Sequence, residues 1–282
     1  MEEFDMSLKS YAVIGEKLGH SMSPAIHRQM LDMIDVDGVY GILEIAREDV
    51  PKIVDSLKVL GYAGVNVTVP YKQLIMPYLD EIDADAQAIG AINTIDFKDG
   101  KAVGYNTDCY GFTTMLQVAG IEVEGKDCVL VGGGGAGFAI ITAFKNCGAK
   151  SIKVFDINDE QLAKVKAQFP FVETYNFLTQ KDQCKGDVLA NATPIGMYPK
   201  SDASILTKEE LAAGGFEAVA DAVYNPLETK LVSYAKELGL KSCAGLWMLV
   251  YQAMRSEEIW QGMDIPTQYA VPIHTKLKKN FV

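Results

Sequence analysis

A strand-like run at residues 128–131 leads straight into Gly132-Gly-Gly-Gly-Ala-Gly137, which sets Gly132, Gly134 and Gly137 in a G-x-G-x-x-G register. Glycines so placed permit a tight turn and let backbone amides approach a pyrophosphate at the positive end of the next helix. Asp156 ends the following predicted strand, 19 residues after Gly137. A carboxylate there accepts hydrogen bonds from adenosine ribose hydroxyls and repels a 2′-phosphate. The pattern points to a dinucleotide. The competing reading is a glycine-rich turn without a nucleotide, with Asp156 a surface residue ahead of a helix.

Other chemistries fit poorly. Gly120-Ile-Glu-Val-Glu-Gly-Lys-Asp127 is a near miss to a P-loop, but Asp127 replaces the required hydroxyl and the segment precedes a strand. No G-x-S-x-G elbow and no H-E-x-x-H occurs, and three histidines leave little for a His-based metal site, so no metal is expected. Ahead of the glycine turn, polar residues gather at predicted strand ends and helix starts, where ligand sites of α/β sheets collect. They are Ser21 and Ser23, then Asn66, Thr68 and Lys72, then Asn93-Thr94 and Asn106-Thr107-Asp108. Singly, each has a structural explanation: Ser23 or Asp108 as a helix cap, Lys72 as a solvated cation.

The elements that must position these residues alternate between short apolar runs and helix-period segments. Residues 11–15 read as a buried strand, followed by a helix with Ser23 as cap and Pro24 at its first position. A second strand spans 39–45; Val50, Ile53, Leu57 and Leu60 mark one face of a helix; a third strand spans 65–69 and stops at Pro70. Residues 91–97 and 101–105 resemble a hairpin around Asp99-Gly100. From about Asp108 a helix, the 128–131 strand, the glycine turn and a helix to about Cys147 follow. Strands are predicted at 152–155, 188–190, 218–222 and 240–243, with a capping-box helix start at Asn158–Gln161. The alternation implies a parallel sheet covered on both faces. The segments after Gly245 are helical and cannot form a domain alone, so they are expected to pack back on one of the sheets.

With 282 residues, about two domains are expected at roughly 150 residues each. Hydrophobic residues at 49% and charged residues at 22% exclude a mainly disordered chain. A formal charge of −11 argues against nucleic acid or an anionic membrane as partner, because the overall field repels phosphate. Five scattered cysteines, never spaced C-x-x-C, suit reduced thiols and a cytoplasmic protein. Met-Glu-Glu-Phe-Asp lacks the basic start of a signal peptide, so no leader is expected. The uncharged run 128–144 contains too many glycines and too few residues for a membrane span.

Together the polar constellations match a family. The sequence resembles shikimate dehydrogenases and their quinate/shikimate relatives over nearly its full length. The matching motifs are His20-Ser-Met-Ser-Pro24, Asn66-Val-Thr-Val-Pro-Tyr-Lys72, Ala91-Ile-Asn-Thr94, Asn106-Thr-Asp108, Gly132–Ala136, Asn191-Ala-Thr-Pro194, Asp221-Ala-Val-Tyr-Asn-Pro226 and Gly245-Leu-Trp-Met-Leu249 with Gln252.

The resemblance implies an α/β enzyme with a Rossmann-type cofactor domain on a parallel sheet and a discontinuous α/β substrate-binding domain, the active site lying between them. The implied boundaries are 1–107 for the substrate domain, 108–245 for the dinucleotide domain, and 246–282 for helices returning to the substrate domain. By the family's pattern Ser21 and Ser23 hold the substrate carboxylate, Thr68, Asn93, Asp108 and Gln252 bind ring hydroxyls, and Tyr224 lies against the substrate. Gly132, Gly133, Gly134, Gly135, Ala136, Asp156 and Thr193 are implied as cofactor contacts, with Ala222 and Gly245 bordering the nicotinamide. Lys72 is the implied proton donor in ketone reduction and the base in reverse, oriented by Asp108.

The residues ahead of the second helix of the cofactor domain depart from the family. NADP-using members typically carry Asn-Arg-Thr there; this chain has Asp156-Ile-Asn158, so NAD is expected in preference to NADP. Cys109 stands where glycine is common, with a minor expected effect. The expected reaction interconverts 3-dehydroshikimate and shikimate, in aromatic amino acid biosynthesis. The alternatives are an NAD-dependent quinate/shikimate dehydrogenase and a non-catalytic metabolite-sensing regulator; intact Lys72 and Asp108 argue against the last. The expected partner is a small anionic cyclic hydroxy acid, shikimate or quinate, bound by a monomer or homodimer. A chain of charge −11 must then attract small anions through neutral hydroxyls, backbone amides, a helix dipole and Lys72, against its overall field.

Overall fold

Side chains along β1 (Lys9–Gly15) alternate between two apolar clusters. Tyr11 and Val13 pack with Leu31, Tyr40 and Trp260, whereas Ala12 and Ile14 pack with Val54, Leu57 and Val65. A strand covered on both faces reads as an unbroken apolar run, as residues 11–15 do. In the computed structural model, which describes residues 8–19 and 21–279, the chain divides into two compact units. One takes the chain up to Thr107 together with Ala253–Leu277; the other takes Asp108–Gln252. The first seven residues, which carry the leader expectation, and His20 of the His-Ser-Met-Ser-Pro motif lie outside the described residues.

The first unit continues through α1 (Ser23–Met33), β2 (Gly38–Glu44), α2 (Val50–Val59), β3 (Tyr62–Val67), β4 (Glu81–Ile82), α3 (Ala84–Ile89), β5 (Thr94–Lys98) and β6 (Lys101–Tyr105). Its sheet runs β2-β1-β3-β5-β6-β4. β1 pairs parallel with β2 and β3, but β5 pairs antiparallel with both β3 and β6. This sheet is therefore mixed, and it contains the hairpin expected over residues 91–105. The cause is the hairpin: Asp99 and Gly100 both take positive φ, 53° and 77°, the turn geometry that returns a strand beside its predecessor.

Two local expectations change here. Met22 occupies the cap position of α1 and Ser23 is its first helical residue, with Pro24 in the first turn, so Ser23 does not cap. On α2 the buried positions are Val50, Val54 and Leu57, while Leu60 is exposed just past the helix end.

The second unit contains α4 (Asp108–Val118), β7 (Asp127–Val131), α5 (Gly135–Asn146), β8 (Ser151–Asp156), α6 (Asp159–Gln168), β9 (Glu173–Asn176), β10 (Val188–Asn191), α7 (Lys208–Ala213), β11 (Ala218–Asp221), α8 (Lys230–Glu237) and β12 (Lys241–Ala244). Its sheet is parallel throughout, ordered β9-β8-β7-β10-β11-β12. Numbered within the unit this is 3-2-1-4-5-6, the Rossmann order, whose direction reverses between β7 and β10. β9, unpredicted, completes it; its Glu-Thr-Tyr-Asn carries no apolar alternation because an edge strand is only half covered.

At α6 the expected capping box is half present. Asn158 accepts the Glu160 and Gln161 amides, but the Gln161 side chain donates to Gly133 O instead of reaching back. The complete box is Thr207–Glu210 at α7. The last two helices are α9 (Leu246–Gln261) and α10 (Ala270–Lys278), and the boundary between the units falls inside α9. The far end of α9 joins the first sheet: Trp260 stacks on Tyr11, donates from Nε1 to Ile95 O at 2.9 Å, and lies over Gly64, where a Cβ would stand 2.1 Å from its ring nitrogen. All five cysteines are free thiols, and among the described residues no helix is long and apolar enough to cross a membrane.

Candidate active site

In the first unit the predicted polar residues gather at the ends of β1, β3 and β5. Asn66, near the end of β3, is the centre. It accepts from the Tyr40 hydroxyl at 2.6 Å and donates to Thr94 Oγ1 at 3.1 Å and Ser256 Oγ at 3.0 Å. Asn93 Oδ1 accepts the Thr107 amide at 2.8 Å and the Thr94 hydroxyl at 3.1 Å, while Asn93 Nδ2 donates to Thr107 Oγ1 at 3.0 Å. Apart from Asn93, these residues are ones whose site role the motifs did not assign. Tyr40 and Ser256 carry no motif signal, since one sits in an apolar strand and the other in a helix far along the chain.

Ser23 faces the Tyr40 hydroxyl, and its amide donates to Ser21 Oγ at 3.3 Å. Burial pushes the Tyr40 phenol well above the usual range, so it stays a neutral donor. Thr68 follows β3, its amide bonded to Ile14 O at 3.0 Å. Lys72 is half-buried on a short turn anchored by Tyr71, whose hydroxyl donates to Ile45 O at 2.7 Å, and the Lys72 carbonyl accepts the Ile92 amide at 2.9 Å. Asp108, the next residue after Thr107, is buried and opens α4 in the second unit; Lys72 and Asp108 thus fall in different units.

In the second unit the glycine turn lies between β7 and α5, at the reversal of strand order. Gly132 takes φ +105°, a conformation that favours glycine. A Cβ at Gly137 would stand 2.2 Å from Gly132 O, so the turn and the helix start are in backbone contact. At Gly134 a Cβ would meet nothing within 4 Å. The turn is thus closed on the protein side and open at the start of α5, beside Gly135 and Ala136, which fits a pyrophosphate held by amides and the helix dipole.

Asp156 accepts the Gly133 amide on Oδ2 at 2.8 Å and the Asn158 amide on Oδ1 at 3.0 Å. Thr193 stands against the turn, its Cγ2 3.0 Å from where a Cβ of Gly132 would be. Ala222 O is 2.1 Å from the corresponding position at Gly245, whose amide donates to Val223 O at 3.0 Å. Gln252, buried on α9, packs against Gly111 of α4, and Tyr224 is half-buried with its phenol pushed up by burial.

The comparisons with known proteins agree on one family. Residues 13–95 match the shikimate dehydrogenase substrate binding domain, and residues 245–270 match the shikimate 5′-dehydrogenase C-terminal domain. A shikimate dehydrogenase (NADP(+)) of Clostridium perfringens is 40% identical over 277 residues, covering 97% of this chain and 100% of its own. The crystal structure of shikimate dehydrogenase 1 from Peptoclostridium difficile is 38% identical with a TM-score of 0.88, covering 98% of this chain and 100% of that one. The Thermus thermophilus shikimate 5-dehydrogenase in complex with NADP(H) and shikimate is 29% identical with a TM-score of 0.85, covering 95% and 99% of the two chains.

The expectation of NAD over NADP is overturned by these relatives, one named for NADP(+) and another solved with NADP(H). That expectation gave Asp156 a single task, whereas its Oδ2 already accepts the Gly133 amide of the glycine turn and its Oδ1 the Asn158 amide two residues on. Its acidity is a feature of the turn and does not by itself choose the cofactor. Full-length identity, the strand order and both domain matches lead to one conclusion: the chain is an oxidoreductase belonging to the shikimate dehydrogenase family.

Proposed function

We propose that this protein interconverts 3-dehydroshikimate and shikimate with NADP(H). The first unit acts as the substrate-binding domain and the second as the cofactor-binding domain. The observation that carries the substrate reading is the character of the first unit's polar set. Ser21, Ser23, Tyr40, Asn66, Thr68 and Asn93 are hydroxyls and amides, with Lys72 the cation beside them in sequence. Neutral donors and acceptors suit a small ring bearing hydroxyls and one carboxylate, because they pair without burying further charge.

Reduction of a ring ketone needs a hydride at carbon and a proton at oxygen. When bound, the nicotinamide cofactor supplies the hydride. In this reading Lys72 Nζ gives the proton to the ketone oxygen and takes it back in the reverse direction, and Asp108 orients the reacting hydroxyl. Ser21 and Ser23 receive the carboxylate, Thr68, Asn93 and Gln252 the ring hydroxyls, and Tyr224 lies against the ring. Gly134, Gly135 and Ala136 present amides to the pyrophosphate, the Gly133 amide being held by Asp156, with Thr193, Ala222 and Gly245 along the nicotinamide. Residues 108–252 contain no arginine, so lysine and amide donors are left to receive a 2′-phosphate.

One assay matrix tests the proposal: shikimate and quinate, each with NADP⁺ and NAD⁺, followed by nicotinamide absorbance. The highest kcat/KM is expected for shikimate with NADP⁺. Faster turnover of quinate would overturn the substrate reading, and no turnover in any combination would overturn the enzyme reading.

A further inference from the structure

Asp221, the last residue of β11, is fully buried, and none of the roles above uses it. Its Oδ1 accepts Asn191 Nδ2 at 2.9 Å and the Val223 amide at 3.0 Å; its Oδ2 accepts the Thr229 hydroxyl at 2.6 Å. The bonds continue outward on both sides. Thr229 Oγ1 accepts the Val232 amide at 3.3 Å and so caps α8. Asn191 Oδ1 accepts the Thr193 amide at 3.0 Å and the Thr193 hydroxyl at 2.7 Å, and that hydroxyl accepts the Ile195 amide at 3.2 Å. One chain of hydrogen bonds therefore runs from the start of α8, across the ends of β11 and β10, into the turn 191–195.

Both backbone segments tied by this chain press on glycines of the cofactor side. A Cβ at Gly132 would lie 2.9 Å from Ala192 C, and one at Gly245 would lie 2.1 Å from Ala222 O. The direction of the chain follows from chemistry. An ionised carboxylate only accepts, so Asn191 must turn its Nδ2 toward Asp221, which leaves Oδ1 for Thr193. An apolar residue at 221 would leave three buried donors without an acceptor, and an amide there could not dictate which way Asn191 faces.

We propose that Asp221 is a positioning residue that sets the Asn191 rotamer, and through it the Thr193 and Ala222 backbone, for the dinucleotide. This rests on the cofactor role proposed above for the second unit.

The test exchanges donor and acceptor. NADPH affinity is measured by nicotinamide fluorescence, and KM and kcat by oxidation of shikimate with NADP⁺, in wild type, Asp221→Asn, Asn191→Asp and the double variant. Each single change is expected to weaken NADPH binding and raise the NADP⁺ KM about tenfold, with the shikimate KM within about twofold. In the double variant the amide at 221 donates to the carboxylate at 191, which still accepts from Thr193, while the Val223 amide loses its acceptor, so affinity should recover in part, to a value clearly above that of the worse single variant. A double variant no better than the worse single, or single variants that lose thermal stability with NADPH affinity unchanged, would overturn the proposal.

If Asp221→Asn does not fold, Asn191→Ala, which keeps the Thr229 and Val223 bonds, must show the same loss of affinity; unchanged affinity overturns the proposal. A wild type that binds NADPH but leaves shikimate unoxidised would refute the activity and still let the fluorescence arm decide the role of Asp221.

Discussion

Under the proposed function, the two polar sites meet their ligands with different materials. In the first unit, side chains do the work: Tyr40, Asn66, Asn93, Thr94, Thr107 and Ser256 form a neutral lattice with several bonds at each centre. In the second, backbone does it: glycines clear the space, and two carboxylates, Asp156 and Asp221, accept the Gly133 and Val223 amides and fix the backbone beside that space. A lattice of side chains can match the hydroxyls of one ring. A backbone rim matches the part shared by all dinucleotides and needs anionic acceptors to fix its amides. Specificity should therefore be sensitive to side-chain deletion in the first unit, and cofactor affinity to backbone displacement in the second.

Lys72→Ala gives the largest expected effect, a fall in kcat of about 10²–10⁴-fold, with NADPH affinity unchanged. An unaltered rate would remove Lys72 from the chemistry, and a parallel loss of NADPH binding would erase the contrast between the units. Gly137→Ala is next. It drives a methyl against Gly132 O, and overpacking of that kind costs about 3 kcal/mol. The loss should appear in urea unfolding and in a raised NADP⁺ KM, not in the shikimate KM.

Asn66→Ala attacks the other site. It leaves the Tyr40 hydroxyl without its acceptor and Thr94 and Ser256 without a donor, at about 2 kcal/mol of stability, and should raise the shikimate KM while sparing NADPH affinity.

The smallest effect separates two buried aspartates. Asp96 in β5 and Asp221 are both pushed up to about 6, each mainly by burial, but three donors oppose the shift at Asp221, whereas at Asp96 the opposing influence is the charge of Lys98. A folded-state value above the unfolded one means stability present below pH 4 and lost as pH rises through about 6. For Asp96, which keeps 9% of its surface exposed, this amounts to about 1 kcal/mol after solvent screening. Asp96→Asn should flatten that part of the stability–pH curve without changing kinetics. A kinetic defect would show that Asp96 also serves the site.

Much of the fold was readable because local rules agreed with tertiary context. The runs 11–15 and 128–131 are strands covered on both faces, Asp99-Gly100 is a hairpin turn, and the G-x-G-x-x-G register sits where a strand meets a helix. Reading failed where two local solutions competed for one residue. Ser23 looks like a cap, but Met22 takes that position; Gln161 looks like half a capping box, but its amide is drawn to Gly133 O. β9 escaped because an edge strand need not alternate.

Composition and spacing alone determined the division of labour along the chain: polar side chains at the strand ends of the first part, glycines at the turn of the second, and helices at the end that need a sheet to cover. Those follow from short-range sterics and from the need to bury apolar faces, both written in neighbouring residues. Only the tertiary structure decided which polar groups became partners. Asn66 meets Ser256 across 190 positions, and Asp221 meets Asn191 across 30. It also decided that Asp156 closes the glycine turn, because its Oδ2 accepts the Gly133 amide across 23 positions. A carboxylate's role depends on which donors reach it first, and no reading of adjacent residues contains that distance.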